Sequence, residues 1–160
     1  MCHYCGCRHV SLIRDYIAEH ERVTDLGGDE VRAIDAGDLD KARRCIDEMA
    51  VGLASHWEGE ENGIFAVMQR EEEFAGYIAP LVAEHRELAD LLAAVDVADA
   101  VDQQRIRLAV VELHEHIAKE EDGLFPASLT TLSGRDWDEA IAAWHIAHPG
   151  AAMMLSLIHI

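Results

Sequence analysis

Ten residues with the chemistry of a metal site occur twice in this chain. Residues 56–65 read HWEGEENGIF, and residues 116–125 read HIAKEEDGLF, so both copies share His-x3-Glu-Glu-[Asn/Asp]-Gly-[Ile/Leu]-Phe. A histidine and a glutamate four residues apart lie on one face of a helix. Each copy can therefore offer two ligands to one metal site.

A second, weaker repeat lies upstream of each copy. Residues 17–23 read IAEHERV and residues 82–88 read VAEHREL, which places His20 and His85 at matching positions. The chain therefore consists of two similar halves, and each half holds a single histidine followed by a His-x3-Glu pair.

The elements that must position these residues are helices. Apolar residues recur at helical spacing in four long stretches, and the composition is rich in Ala, Leu, Glu, Asp and Arg. In these stretches six polar residues occupy positions where the pattern requires a buried apolar side chain: His20, His56, Glu60, His85, His116 and Glu120. Six such groups in one core are costly unless they are satisfied together, and a metal centre would satisfy them.

The expected turns bring these residues to one height. Gly37-Asp38 is equidistant from His20 and His56, residues 96–102 lie midway between His85 and His116, and residues 70–73 lie midway between Glu60 and His85. This spacing predicts an all-α, up-down-up-down antiparallel four-helix bundle with all six groups in one layer. Gly27-Gly28 predicts an irregularity in the first helix.

A short fifth helix follows the bundle. Ser133-Gly134 interrupts the fourth stretch, and Trp137, Ile141, Trp144 and His148 share a stripe that ends at Pro149-Gly150. We predict a Cys-rich segment over residues 1–9, the bundle over 10–132, the C-terminal helix over 133–150 and a tail over 151–160. We expect His145 and His148 to be structural or exposed.

Charge and composition exclude several classes of partner. A net charge of −18 argues against nucleic acid and anionic membrane surfaces, both of which need a basic patch. The chain has no run of about 20 apolar residues and no secretory signal at its start. Three of the four cysteines crowd within residues 2–7, which argues against a disulfide framework and favours the cytoplasm.

The order His … His-x3-Glu … His … His-x3-Glu over residues 10–130 resembles the hemerythrin-like family, also called HHE cation-binding domains. The resemblance implies two non-haem iron ions with a bridging oxo or hydroxo group. The implied ligands are His20, His56, Glu60, His85, His116 and Glu120, with the two glutamates as bridges. Imidazole and carboxylate donors also suit zinc and manganese, which rank below iron here.

The resemblance implies a protein that binds dioxygen, peroxide or nitric oxide, with peroxide decomposition as an enzymatic version. An iron or oxygen sensor without turnover is the alternative. Respiratory hemerythrins carry an additional histidine four residues from the one equivalent to His85, but Leu81 and Ala89 occupy those positions. Reversible oxygen carriage is therefore disfavoured.

The sequence leaves the roles of several residues near the motifs and at the termini open. Glu121 lies one step beyond Glu120 and is an alternative ligand, and His114 is an alternative to His116, although the repeat favours Glu120 and His116. Cys2, Cys5 and Cys7 either bind zinc or relay electrons, or are incidental. Residues 155–160 resemble a translated sequencing adapter.

Overall fold

The computed structural model describes residues 9–153, and within that range it consists of helices and the turns between them, without a strand. The first two long helices are α1 (Ser11–Asp35) and α2 (Leu39–Asn62), followed by the short α3 (Ile64–Met68). Two more long helices, α4 (Glu72–Ala94) and α5 (Ala100–Lys119), lead into a π-helical turn (Glu120–Leu124). The short α6 (Phe125–Thr131) and then α7 (Gly134–Ala147) complete the order.

The turns lie where the spacing predicts them. Gly37, with φ of 73°, lies in the turn between α1 and α2. The Asp38 carboxylate caps α2 by accepting from the Lys41 amide. Asp99 caps α5 in the same manner. Ser133 and Asp136 form a reciprocal capping box that starts α7. The all-helical prediction is confirmed, and the up-down-up-down order of the helices stays a prediction.

The long helices pack into a bundle: α1 contacts α2 and α5, and α4 contacts α2 and α5. α7 covers α2 and α3. Two apolar clusters fill the interior, one around Tyr16, Phe65 and Phe125 and the other around Ile46, Leu53 and Ile106. The six polar residues of the repeats lie along the helices between these two clusters.

One sequence prediction is wrong. α1 runs without a break through Gly27 and Gly28. Gly27 instead allows a close approach between helices, because a Cβ there would lie 3.2 Å from a methyl group of Val110 on α5. The pair Gly27-Gly28 predicts an irregularity in the helix, but the missing side chain of Gly27 instead serves interhelical packing.

The helix geometry changes at the same place in both repeats. α2 ends at Asn62, before Gly63, and α5 gives way to the π-helical turn that contains Gly123. A Cβ on Gly63 would lie 2.5 Å from the Gly59 carbonyl oxygen, and one on Gly123 would lie 2.5 Å from the Tyr77 hydroxyl. The shared glycine of the repeat is therefore a position of close approach in each half.

Candidate metal centre

The structure brings all six predicted residues together in one buried layer. Possible ligand atoms of His20, His56, Glu60 and Glu120 lie within 4.8 Å of one another, and those of His85, His116 and Glu120 form a second such group. Each of the six side chains is buried. Glu120 belongs to both groups, so the layer has the composition of a two-ion site with a shared carboxylate.

The four histidines form two pairs. The Nε2 atoms of His20 and His56 are 3.0 Å apart, and the Nε2 atoms of His85 and His116 are also 3.0 Å apart. We call the first pair the His56 side and the second pair the His116 side. Each side thus aims two imidazole nitrogens at one point in the core.

The two inner glutamates span both sides. One oxygen of Glu120 lies 3.1 Å from His20 Nε2, and the other lies 2.9 Å from His116 Nε2. The oxygens of Glu60 lie 3.3 Å from His56 Nε2 and 3.7 Å from His85 Nε2. A carboxylate whose two oxygens face different imidazole pairs has the geometry that bridging two cations requires.

An outer carboxylate faces the remaining nitrogen of every imidazole. The four contacts to Nδ1 are Glu121 with His20 at 3.0 Å, Glu19 with His56 at 2.6 Å, Glu61 with His85 at 2.9 Å, and Glu84 with His116 at 2.7 Å. Because a carboxylate only accepts, each Nδ1 carries the proton and donates it. This leaves the Nε2 lone pairs directed into the site, as in carboxylate–histidine–metal triads.

The residues present fit a metal. None of the four oxygens of Glu60 and Glu120 accepts a well-formed hydrogen bond, although all four are buried. Facing lone pairs on paired imidazoles and unsatisfied buried carboxylates are both unfavourable without a cation or extra protons. A nitrogen and oxygen donor set without thiolate suits iron, manganese or zinc.

Without a metal, protons take over part of this role. Burial alone would lower the pKa of His116, but the Glu120 and Glu84 carboxylates raise that pKa to about 9. Burial likewise opposes protonation of His56, and Glu60 and Glu19 raise its pKa well above the ordinary value. For Glu120, burial is outweighed by the surrounding imidazoles, which hold the pKa well below its usual range. Metal binding must therefore displace protons from both sides.

Aromatic rings cover the imidazoles. Phe65 and Phe125 end the two copies of the repeat, and they stack on His85 and His20 at centroid distances of 5.8 Å and 6.0 Å. Each phenylalanine thus covers the histidine of the opposite half. Trp57 adds a second ring on His85, at 4.9 Å.

Tyr16 closes the His56 side. Its ring lies edge-on to His56 at 5.3 Å, and its buried hydroxyl has no hydrogen-bond partner. Burial, together with the charges of Glu60 and Glu19, raises the pKa of this phenol well above its ordinary value. Tyr16 therefore remains a protonated phenol beside the site.

The sequence of the chain matches the Hemerythrin HHE cation binding domain over residues 11–128. The chain belongs to this family. No curated protein and no solved structure matches it. The resemblance drawn from the repeated motif is confirmed, and the matched segment ends before α7.

The structure shows where the residues with open roles lie relative to the inner layer. Glu121 contacts the outer nitrogen of His20, and Glu61 contacts that of His85, so neither joins the inner groups. His114 is exposed and faces the Val110 carbonyl oxygen. Cys45 is buried in the core. The N-terminal cysteines and residues 155–160 lie outside the described residues.

Sequence reasoning missed the outer carboxylates Glu19 and Glu84. Both repeats contain the same Ala-Glu-His sequence, at residues 18–20 and 83–85, so a signal was present. Each glutamate, however, contacts the histidine of a neighbouring helix and not the adjacent one. That pairing depends on how the helices are arranged.

The two sides differ in access. A cleft of about 280 Å³ between α4 and α5 reaches His85 and His116, with Trp57, Leu88 and Leu113 among its walls. On the opposite side, the groove between α1 and α2 is lined by Glu19 and His148, and neither His20 nor His56 is among its lining residues.

Within the described residues, no helix has the length and hydrophobicity needed to cross a bilayer.

Proposed function

We propose that this protein is a hemerythrin-like, non-haem di-iron protein that binds dioxygen, peroxide or nitric oxide. The residues that would hold the two ions are His20, His56, Glu60, His85, His116 and Glu120, and the two glutamates would be shared between the ions. The observation that carries the proposal is the pair of buried glutamates whose oxygens face both imidazole pairs without accepting hydrogen bonds.

The donor count supports binding of a small ligand. Four imidazoles and two carboxylates leave two ions short of a full shell, and the bound iron pair would supply open coordination positions and electrons for reducing peroxide. The cleft between α4 and α5 gives a small molecule a route to the His116 side. Trp57 and Leu88 make the wall of this route apolar, which suits dioxygen and nitric oxide.

The rim of the cleft favours neutral ligands over anions. Glu84, Glu87, Glu112 and Glu115 line it together with one cation, Lys119. A negative rim lowers the local concentration of an anion such as azide and leaves that of a neutral molecule unchanged. Dioxygen, hydrogen peroxide and nitric oxide are all neutral at pH 7.

The missing histidine favours peroxide decomposition over reversible oxygen carriage. Leu81 is buried in one apolar cluster, and Ala89 packs against the other, so neither supplies a ligand on α4 beside His85. Tyr16 places a buried phenolic hydrogen-bond donor beside the His56 side, and the outer carboxylates hold a proton on the Nδ1 atom of each imidazole.

Metal content and spectra test the proposal. We expect purified protein to contain two irons per chain and to show the near-ultraviolet bands of a bridged ferric pair. His116→Ala should abolish these bands, whereas His114→Ala, on the same helix but exposed, should retain them. One zinc per chain without such bands in the wild type would sink the proposal.

A sensor without turnover is the second candidate. It is favoured by the six polar residues buried in one core layer. Loss of the metal would leave these buried groups without the cation that satisfies them, so metal occupancy is coupled to folding. Rapid oxygen evolution from added peroxide would select the enzyme. A large metal-dependent gain in thermal stability without turnover would select the sensor. A cytoplasmic location stays a prediction in either case.

A further inference from the structure

The C-terminal helix contacts the metal centre through a single carboxylate. Trp144 Nε1 donates to Glu19 Oε1 at 2.9 Å, and His148 Nε2 lies 3.2 Å from the same oxygen. The other oxygen, Glu19 Oε2, accepts from His56 Nδ1 at 2.6 Å. A continuous chain of polar contacts therefore joins α7 to the His56 side, although α7 lies beyond the segment that matches the family.

The arrangement of Trp144 and His148 is well defined. The two rings stack with centroids 4.3 Å apart and an angle of 16° between their planes. His148 Nδ1 also lies 2.8 Å from the Trp144 carbonyl oxygen, which orients the imidazole. Trp144 itself is buried against the apolar cluster around Tyr16, so its N–H direction is fixed by packing.

The equivalent carboxylate of the other half is held differently. Glu84 accepts from His116 Nδ1 at 2.7 Å, and its second oxygen accepts from Lys119 Nζ at 2.5 Å. Lys119 is on α5 and is 46% exposed, so it is a flexible partner from within the bundle. Of Glu19 and Glu84, only Glu19 accepts a hydrogen bond from α7 among the described residues.

We propose that Trp144 and His148 are positioning residues that couple docking of α7 to metal binding on the His56 side. They fix Glu19, and Glu19 fixes the tautomer and orientation of His56 with Nε2 directed inward. Because such coupling is reciprocal, a metal ion on the His56 side stabilises the docked α7 to the same extent. The inference rests on the proposed metal function and adds that binding of one of the two ions stabilises the docked position of α7.

Calorimetric titration of metal-free protein with ferrous iron, without oxygen, tests this coupling. Trp144→Phe retains the aromatic packing and removes the N–H donor. We expect about a 5-fold loss of affinity at one of two sites, below the roughly 10–100-fold that is typical when the outer partner of a ligand is itself removed, because Trp144 acts through Glu19. Trp137→Phe is the matched control, because Trp137 is on the same helix and packs against the apolar core. It should bind both ions as the wild type does.

A double-mutant cycle separates positioning from packing. In a Glu19→Gln background, Trp144→Phe should cause no further loss, because its effect passes through the Glu19 carboxylate. An equal loss in both backgrounds would show a general packing effect and overturn the proposal. So would wild-type affinities at both sites in Trp144→Phe itself.

Hydrogen exchange gives the reciprocal readout. Amide exchange in α7 should slow when zinc, a diamagnetic probe, fills the wild-type site, and this response should be absent in Glu19→Gln. Identical responses in the two proteins would contradict the coupling. A wild type that binds no ferrous iron would instead overturn the proposed function and the coupling together, so the two failures are distinguishable.

Discussion

The two sides of the metal centre have matching inner residues and different surroundings. Each side pairs two imidazoles at an Nε2 separation of 3.0 Å and places a carboxylate on every Nδ1. On the His56 side, the Tyr16 ring packs against His56, and Trp144 and His148 contact the outer carboxylate Glu19. The His116 side borders the cleft between α4 and α5.

This difference indicates a division of roles within a duplicated site. The repeated residues would supply what both ions of the proposed site need, namely donor atoms and a hydrogen-bond partner for each imidazole. The residues that are not repeated make the surroundings of the two imidazole pairs different: tyrosine stands at position 16 where the second half has Leu81, and tryptophan at 57 where it has Ile117. We therefore expect exogenous ligands on the His116 side and structural control on the His56 side.

The largest expected effect comes from the residue that the sides share. Glu120→Gln should weaken binding of both ions by more than about 100-fold, because each side loses a charged oxygen donor. Glu121→Gln alters the contact to His20 Nδ1 and leaves the inner carboxylates in place, so it should cost about 10-fold and on the His56 side. Iron titrations of the two variants measure this contrast. Equal losses in both would contradict the assignment of inner and outer glutamates.

A pH-dependent effect should follow from the imidazoles of the metal-free protein. The pKa of His116, which burial alone would lower, is raised to about 9 by Glu120 and Glu84. A raised pKa adds stability that is complete below the unfolded value of about 6.5 and is lost as pH rises through about 9. We expect a loss on the order of 2 kcal/mol across this window.

Urea unfolding with and without chelator measures this loss. The metal-loaded protein should not show it, because the ion replaces the proton on His116. His116→Ala should reduce the slope of the metal-free profile, and the raised pKa of His56 accounts for part of the slope that is left, while His114→Ala should follow the wild type. Loss of stability in the opposite direction, toward low pH in this window, would contradict the assignment.

The access route is tested by filling the cleft. Leu88→Trp places a larger side chain in the wall of the cleft next to the His116 side, and it should slow association of nitric oxide with the ferrous protein by roughly tenfold. Val51→Trp is the matched control, because Val51 is exposed in the groove between α1 and α2. Stopped-flow absorbance measures both rates. A slower rate in Val51→Trp alone would place the route on the His56 side.

The inner layer was predictable because it depends on periodicity within single helices. His56 and Glu60 are four residues apart, and the turn positions place His20 at the same height. The outer contacts of Glu19, Trp144 and His148 depend on side chains from helices that are far apart in sequence. The stripe shared by Trp144 and His148 predicted their packing, but the target of the indole N–H follows only from where α7 lies. The π-helical turn at Glu120 was likewise unexpected, because the repeat reads as a regular helix.

The smallest expected effect concerns the far end of the bundle, where the halves differ again. Glu30 is buried on α1 and one of its oxygens has no partner, and the matching position of the other half holds the buried Val95. Burial raises the pKa of Glu30 to about 7, against the small opposing effect of Arg43. Stability linked to this group is complete below about pH 4.5 and is lost as pH rises through about 7.

Glu30→Gln removes this titration and retains the shape of the side chain. The variant should therefore gain about 1 kcal/mol over the wild type between pH 5 and pH 8, and urea unfolding at the two pH values measures the gain. Glu48→Gln, an exposed position on α2, is the control and should show no such gain. Parallel pH profiles of Glu30→Gln and the wild type would mean that the charge of Glu30 is already accommodated. The two halves would then differ only around the metal centre.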